Sequence, residues 1–225
     1  MSKLVDNVPD FLYKPAAIDI NKLPAIRKEG FNLFKFLNNG FWKNNQEKKF
    51  YLVTDFNNVV GKIDNFCPTL AGELTRLKLQ DFFYGILFVQ KLSTHTEMPI
   101  HRDAEIGEPN VHGHYGLNFP IIGCENTYTV FYDASYGQDN RNADESTFGT
   151  DGVKRGGRFV DPDTAVEIGR VNSNMPIWVN THAFHTGITL TNKPRLLMSL
   201  RFYELNHYFE NGYFDEHLVA KSATL

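Results

Sequence analysis

From Phe82 onward the chain breaks into short runs rich in β-branched and aromatic residues, each closed by turn-forming residues, and that rhythm most limits the fold. Apolar or alternating stretches predict strands at about 83–92, 114–122, 127–133, 165–171, 176–180, 183–190 and 195–204. Strands at such spacing, without helical periods between them, predict a barrel or sandwich. The first eighty residues differ. "NKLPAIRKEGFNLFKFL" and "CPTLAGELTRLKLQDFF" carry apolar residues at helical spacing, with the strand-like "KKFYLVTDF" between them.

At 225 residues one domain is the expectation, since all-β barrels reach this size undivided. Its parts would be a helical and mixed support over 1–82, a β core over 83–204 and a C-terminal extension over 205–225. No internal repeat interrupts this plan. Within the core, residues 134–163 are rich in Gly, Asp and Asn and lack apolar periodicity. A loop that long is a surface insertion or a cover for a binding site.

A 42% hydrophobic composition with 19 Phe and 10 Tyr supplies a sizeable core and excludes general disorder. The net charge of −3 offers no basic field, so nucleic acid is disfavoured as a partner. "MSKLVDNVPDFLYK" lacks the apolar core of a signal peptide, and no apolar run is long enough to cross a bilayer. A cytoplasmic protein without a membrane partner is expected. Cys67 and Cys124 stand far apart and outside any metal-ligand spacing, as reduced buried thiols would.

The chemistry concentrates in "PIHRDAEIG", Pro99 to Gly107, which follows a strand. His101 and Asp103, two apart, point to the same side of an extended segment and can reach one ion. A third ligand is available from "NTHAFHTGITLTNKPRLLMSLRF" as His182 or His185. Two imidazoles and a carboxylate on one face of a metal leave open positions, the arrangement of non-heme Fe(II) oxygenases. A chelating dicarboxylate co-substrate would then need a buried guanidinium for its distal end.

In "RLLMSLRFY", Leu196, Met198, Leu200 and Phe202 alternate with Arg195, Leu197, Ser199 and Arg201. One face is wholly apolar, and the other carries two cations and a hydroxyl. The mixed face either lines a barrel interior or faces water. Elsewhere Asn118, Thr127, Thr129 and Tyr132 are positioned to hydrogen-bond a carboxylate, or to be satisfied by their strand neighbours. Phe131 and Trp178 read as core, and Asp133 as a solvated turn residue or a contact for a substrate amine. Arg141, Arg155 and Arg158 give the insertion a basic tint.

H-x-D at His101 and Asp103, a later His185 and an arginine ten residues on at Arg195 resemble the Fe(II)/2-oxoglutarate-dependent oxygenases. "HGHYGLNFPIIGC", Pro176 to Asn180 and "FHTGITLTNKPRLLMSLRF" resemble more narrowly the aspartyl/asparaginyl β-hydroxylase-like and small phage or bacterial oxygenases. The likeness covers about residues 83–204. It implies a mainly β fold with flanking helices, a double-stranded β-helix (jelly-roll, cupin-like) core. His101, Asp103 and His185 would be the catalytic Fe(II) ligands, and Arg195 the partner of the distal carboxylate of 2-oxoglutarate. His114 falls where the hydroxylase branch has a second co-substrate anchor, although His112 stands in place of that branch's arginine. Asn118 and Ser199 are further candidates to hold the co-substrate. The ten-residue interval and the H-T-G turn favour His185, with His182 facing the other side.

The implied reaction is a dioxygenase hydroxylation. An unactivated C–H bond of a small-molecule or peptidyl substrate is hydroxylated by O2 with release of succinate and CO2. Two other readings stay open, a non-catalytic cupin-like metal or ligand binding module and a 2-oxoglutarate-independent metalloenzyme on the same barrel. Only the 2-oxoglutarate reading requires a buried Arg195 facing the metal. Tyr203, Tyr208, Phe209, Tyr213 and Phe214 would cover the barrel base or meet a partner subunit; oligomeric state and substrate identity are not legible.

Overall fold

Two antiparallel sheets face each other, and the chain winds between them in a fixed order. The structure, a computed structural model, describes residues 11–40, 50–53, 61–91, 100–102, 115–133, 158–159, 165–181, 183–202 and 217–221. The strands are β1 Tyr13–Pro15, β2 Phe50–Val53, β3 Phe83–Lys91, β4 His101–Arg102, β5 Tyr115–Ile122, β6 Thr127–Asp133, β7 Arg158–Phe159, β8 Val166–Asn172, β9 Ile177–Asn180, β10 Phe184–Thr189 and β11 Arg195–Phe202. Three helices precede the core: α1 Leu23–Gly40, α2 Ile63–Phe66 and α3 Pro68–Arg76.

The larger sheet has the order β1-β9-β5-β11-β3-β2 and the smaller β7-β4-β10-β6-β8. From β3 to β6 the chain alternates between sheets, then returns from β8 to β11 in mirrored order. As a result β11 inserts between β3 and β5, and β10 between β4 and β6. This interleaving is the winding of a double-stranded β-helix, and it brings residues distant in sequence onto adjacent rungs.

The alternation in β11 explains how the layers pack. Leu196, Met198, Leu200 and Phe202 turn outward into the main core, where Ile26 and Leu33 of α1 and Leu70 and Leu74 of α3 cover them. The other face of β11 points between the sheets and is also buried, with Arg195 4%, Ser199 2% and Arg201 8% exposed. The mixed face lines the interior, and the water-facing alternative is excluded. Phe131 and Trp178 are fully buried, and the Trp178 indole donates to Leu218 O at 2.9 Å.

Charged groups pin the helices onto this sheet. Arg27 donates to Pro120 O and Asn174 O, tying α1 to the end of β5. The Glu29 carboxylate accepts from Thr69 N and Leu70 N, the orphan donors at the start of α3. Glu73, fully buried, accepts from Lys22 Nζ at 2.7 Å, from Arg76 and from Asp19 N. The helical period of "CPTLAGELTRLKLQDFF" runs on past Arg76, but the helix stops there. Lys78 adopts a left-handed φ of 57°, and Leu79 N–H donates back to Leu74 O, closing the terminus.

The expected strands agree with the described ones within a residue or two at each boundary. Three were not expected: β1, β4 and β7. The aromatic residues from Tyr203 to Phe214 lie outside the described residues, as does the insertion 134–163 apart from β7. Among the described residues no helix is long and apolar enough to cross a membrane.

Candidate functional site

Strand β4 is two residues long, and its register sets the site. His101 lies directly opposite His185 of β10, and their rings approach to 4.6 Å between centroids with planes 44° apart. Opposed residues of an antiparallel pair project to the same face, so both imidazoles point the same way. His185 Nδ1 sits 2.9 Å from Ala183 O. A carbonyl oxygen only accepts, so Nδ1 is the donor in this contact. Phe131, on the neighbouring strand β6, is register partner to His185 and bounds it from the other side.

Both histidines open into a cavity between the sheets with about 510 Å³ of empty space, its mouth included. Leu87, Val89, Val179 and Leu197 supply apolar walls. The polar lining comes from Asn118, Thr129, Thr181, Ser199 and two arginines, Arg195 and Arg201.

Arg195 begins β11 and lies across Gly187 of β10. A Cβ at 187 would stand 3.0 Å from each of its terminal nitrogens, so the missing side chain makes the seat for the guanidinium. The approach to β11 is set by Gly123, at a φ of +65° where glycine is unstrained. A Cβ there would be 2.2 Å from Pro194 O, so the turn after β5 touches the backbone just before Arg195. Further along β11, Ser199 Oγ and Arg201 Nη1 lie 2.8 and 3.1 Å from the position a Cβ of Gly116 would take. Asn118 is the register partner of Ser199, and Gly116 that of Arg201.

Two hydroxyls in this lining are buried without a hydrogen-bond partner among the described residues, Ser199 Oγ and Thr181 Oγ1. Buried polar atoms are nearly always satisfied, so each marks a place where a ligand or water completes the shell. Thr129 Oγ1, by contrast, lies 3.4 Å from Ser173 Oγ.

Of the residues singled out from sequence, His101, His185, Arg195, Asn118, Ser199 and Thr129 come together at this cavity. Asp103, His114 and His182 lie outside the described residues. Among the described residues no three His, Cys, Asp or Glu side chains form a metal-holding group. Asp133 is exposed at the end of β6, as a solvated turn residue is. The cysteines take no part. Burial pushes the Cys67 thiol up to about 12 and raises that of Cys124, whose Sγ lies against Leu196 O. Sequence reasoning missed Thr181 and the two glycine seats. Gly187 sits two residues after His185, a spacing that becomes informative only once Arg195 is known to cross over it.

The strand order and the cavity between the sheets define a double-stranded β-helix protein of cupin-like build. No protein-family model matches the chain, and no curated protein does. Solved structures similar to it include HygX from Streptomyces hygroscopicus with nickel and 2-oxoglutarate bound, at 12% identity, covering 86% of this chain and 82% of that one with a TM-score of 0.43. Another is the non-heme alpha ketoglutarate dependent carbocyclase SnoK from nogalamycin biosynthesis, at 12% identity, 85% and 78% coverage and a TM-score of 0.48. The epimerase SnoN, in complex with Fe3+, alpha ketoglutarate and nogalamycin RO, is 14% identical over 85% and 77% with a TM-score of 0.45.

Proposed function

We propose that the chain is an Fe(II)- and 2-oxoglutarate-dependent oxygenase that hydroxylates an unactivated C–H bond. R–H, O2 and 2-oxoglutarate would give R–OH, succinate and CO2. One observation carries this reading: the opposed imidazoles of His101 and His185 share a cavity with the buried guanidinium of Arg195.

The residues present fit both groups. Two imidazoles with Asp103 would make a donor set suited to Fe(II) that leaves coordination positions open. The Nδ1–H bond to Ala183 O orients the His185 ring and leaves Nε2 as the atom that would meet a metal. The unsatisfied Ser199 and Thr181 hydroxyls and the side-chain-free seat at Gly187 mark space for a polar ligand. Bound there, iron with 2-oxoglutarate supplies the oxidising chemistry, which no side chain offers.

The protein's own part is to bind, orient and exclude water. His101, Asp103 and His185 would hold the metal. Arg195 would take the distal carboxylate through its planar pair of donors, which a lysine cannot imitate. Asn118, Ser199 and His114 would hydrogen-bond the keto-acid end. Leu87, Val89 and Leu197 contribute apolar walls beside these polar groups, which strengthens each of these contacts. The insertion returns at β7, whose Phe159 is register partner to His101, so a covering role for residues 134–163 belongs to the same proposal.

Purified protein supplied with Fe(II), 2-oxoglutarate and air, with ascorbate as the two-electron reductant in place of R–H, is expected to release succinate and CO2 in equal amounts, and His185→Ala to abolish both. Release by that variant at the wild-type rate would overturn the assignment.

A further inference from the structure

The strand registers order the polar groups of the cavity along its length. At one end the Arg195 guanidinium lies across Gly187 of β10. His185 comes two residues earlier on the same strand, opposite His101 of β4. Thr181 comes four residues earlier still, ahead of the start of β10. The larger sheet runs the same way. Arg201 pairs with Gly116 and Gly116 with Val179, so Val179 of β9 is level with a point on β11 six residues past Arg195. Thr181 follows Val179 by two residues, in the direction away from Arg195. The paired histidines therefore stand between Arg195 and Thr181.

That order separates co-substrate from substrate. Two residues of extended strand span about 7 Å, and the end carbons of a five-carbon dicarboxylate lie about 5 Å apart. A co-substrate anchored at Arg195 and reaching to the histidines fills the interval from Gly187 to His185, and Thr181 stands beyond it. Thr181 is 3% exposed and lines the cavity, and its Oγ1 finds no hydrogen-bond partner among the described residues. A buried hydroxyl is nearly always satisfied, so a ligand or water completes this one. Its neighbour along the lining, Val179, is apolar and buried. Arg201 is on the next strand but one, its head over Gly116 beside Ser199 and Asn118. A hydroxyl both donates and accepts, so beside an apolar wall it suits a neutral oxygen on an apolar body rather than an acid.

We infer that Thr181 is a substrate contact: the molecule hydroxylated presents an alcohol or amide oxygen to Thr181 Oγ1, lays its carbon frame along Val179 and turns the reacting C–H towards the paired histidines. This contact takes its reaction from the oxygenase reading, but binding at Thr181 needs no metal.

The test uses the full chain as wild type, as Thr181→Val, which keeps the shape and removes the hydroxyl, and as Thr181→Ser, which keeps the hydroxyl. Ligand-free Thr181→Val is expected to melt at or above the wild-type temperature, because no protein partner is lost with the hydroxyl. A clear fall would make the hydroxyl structural and overturn the contact. With Zn(II) as a diamagnetic stand-in for Fe(II), calorimetry should give 2-oxoglutarate affinities within about twofold in wild type and Thr181→Val. Loss of 2-oxoglutarate in the variant would move Thr181 to the co-substrate end and also overturn the contact. Cyclopentanol and 2-pyrrolidinone are then titrated into the 2-oxoglutarate-saturated protein and followed by saturation-transfer NMR. Wild type and Thr181→Ser are expected to bind at least one of them, the tighter probe naming alcohol or amide, and Thr181→Val to bind it about fivefold more weakly or worse. No binding of either probe to wild type, or equal binding to Thr181→Val, would overturn the contact. If 2-oxoglutarate fails to bind wild type with Fe(II) as well, while a probe still binds through Thr181, the oxygenase reading falls and the contact stands.

Discussion

His101 and His185 are register partners on β4 and β10, their ring centroids 4.6 Å apart, although 84 residues separate them in the chain. The jelly-roll winding makes them neighbours by inserting β10 between β4 and β6. Because side chains alternate along a strand, a register slip of one residue would turn either imidazole to the opposite face.

Arg195→Ala is expected to raise the 2-oxoglutarate concentration needed for half-saturation by about 10- to 100-fold, the range given by losing charged hydrogen bonds of roughly 1.5–3 kcal/mol. Metal affinity should be nearly unchanged, since the arginine belongs to another strand than the histidines. Separate titrations of metal and co-substrate check this. Loss of both together would indicate a folding defect.

Gly187→Ala places a methyl group 3.0 Å from both terminal nitrogens of Arg195. The guanidinium must move, so 2-oxoglutarate affinity should fall while the melting temperature changes little. Equal affinities in variant and wild type would show that the seat at Gly187 does not position Arg195.

Gly123→Ala acts on the fold instead. The φ of +65° disfavours a side chain by about 1 kcal/mol, and the Cβ would collide with Pro194 O. A drop in stability of more than about 2 kcal/mol is expected by denaturant unfolding. A loss within 0.5 kcal/mol would mean the turn relaxes freely.

The sequence carried the strands well where the period was long enough to read. The run from Arg195 to Phe202 alternates over eight residues, which splits it into an apolar face and a mixed face; that the mixed face turns inward is fixed only by the packing of the two sheets. Strand β4 was not legible because two residues have no period; its pairing is imposed by β10 and β7. The H-x-D spacing pointed to His101, and the ten-residue interval chose His185 and Arg195. The glycine seats were invisible because a missing Cβ acquires meaning only from what crosses over it. Thr181 was hidden similarly: it follows β9 in a turn and becomes a neighbour of the cavity only in the closed barrel.

Glu73 is expected to contribute to stability against acid. Burial alone would raise its carboxyl, but hydrogen bonds from Arg76, Asp19 N and Lys22, with the Arg76 charge, hold it at about 2, against an ordinary 4.5. The unfolded chain therefore takes up the proton first. The contribution is complete above about pH 5 and is lost as pH falls from 4.5 towards 2. Glu73→Gln should cost about 2 kcal/mol at neutral pH and flatten the stability curve in that window. An unchanged acid limb would assign the transition to other carboxylates.

The most direct test of the metal and co-substrate site is an anaerobic titration of Fe(II) and 2-oxoglutarate into wild type and His101→Ala, followed in the visible for the weak metal-to-ligand charge-transfer band of the chelate. A band in wild type that is absent from the folded variant is the predicted result. A folded wild type that gives no band contradicts the account.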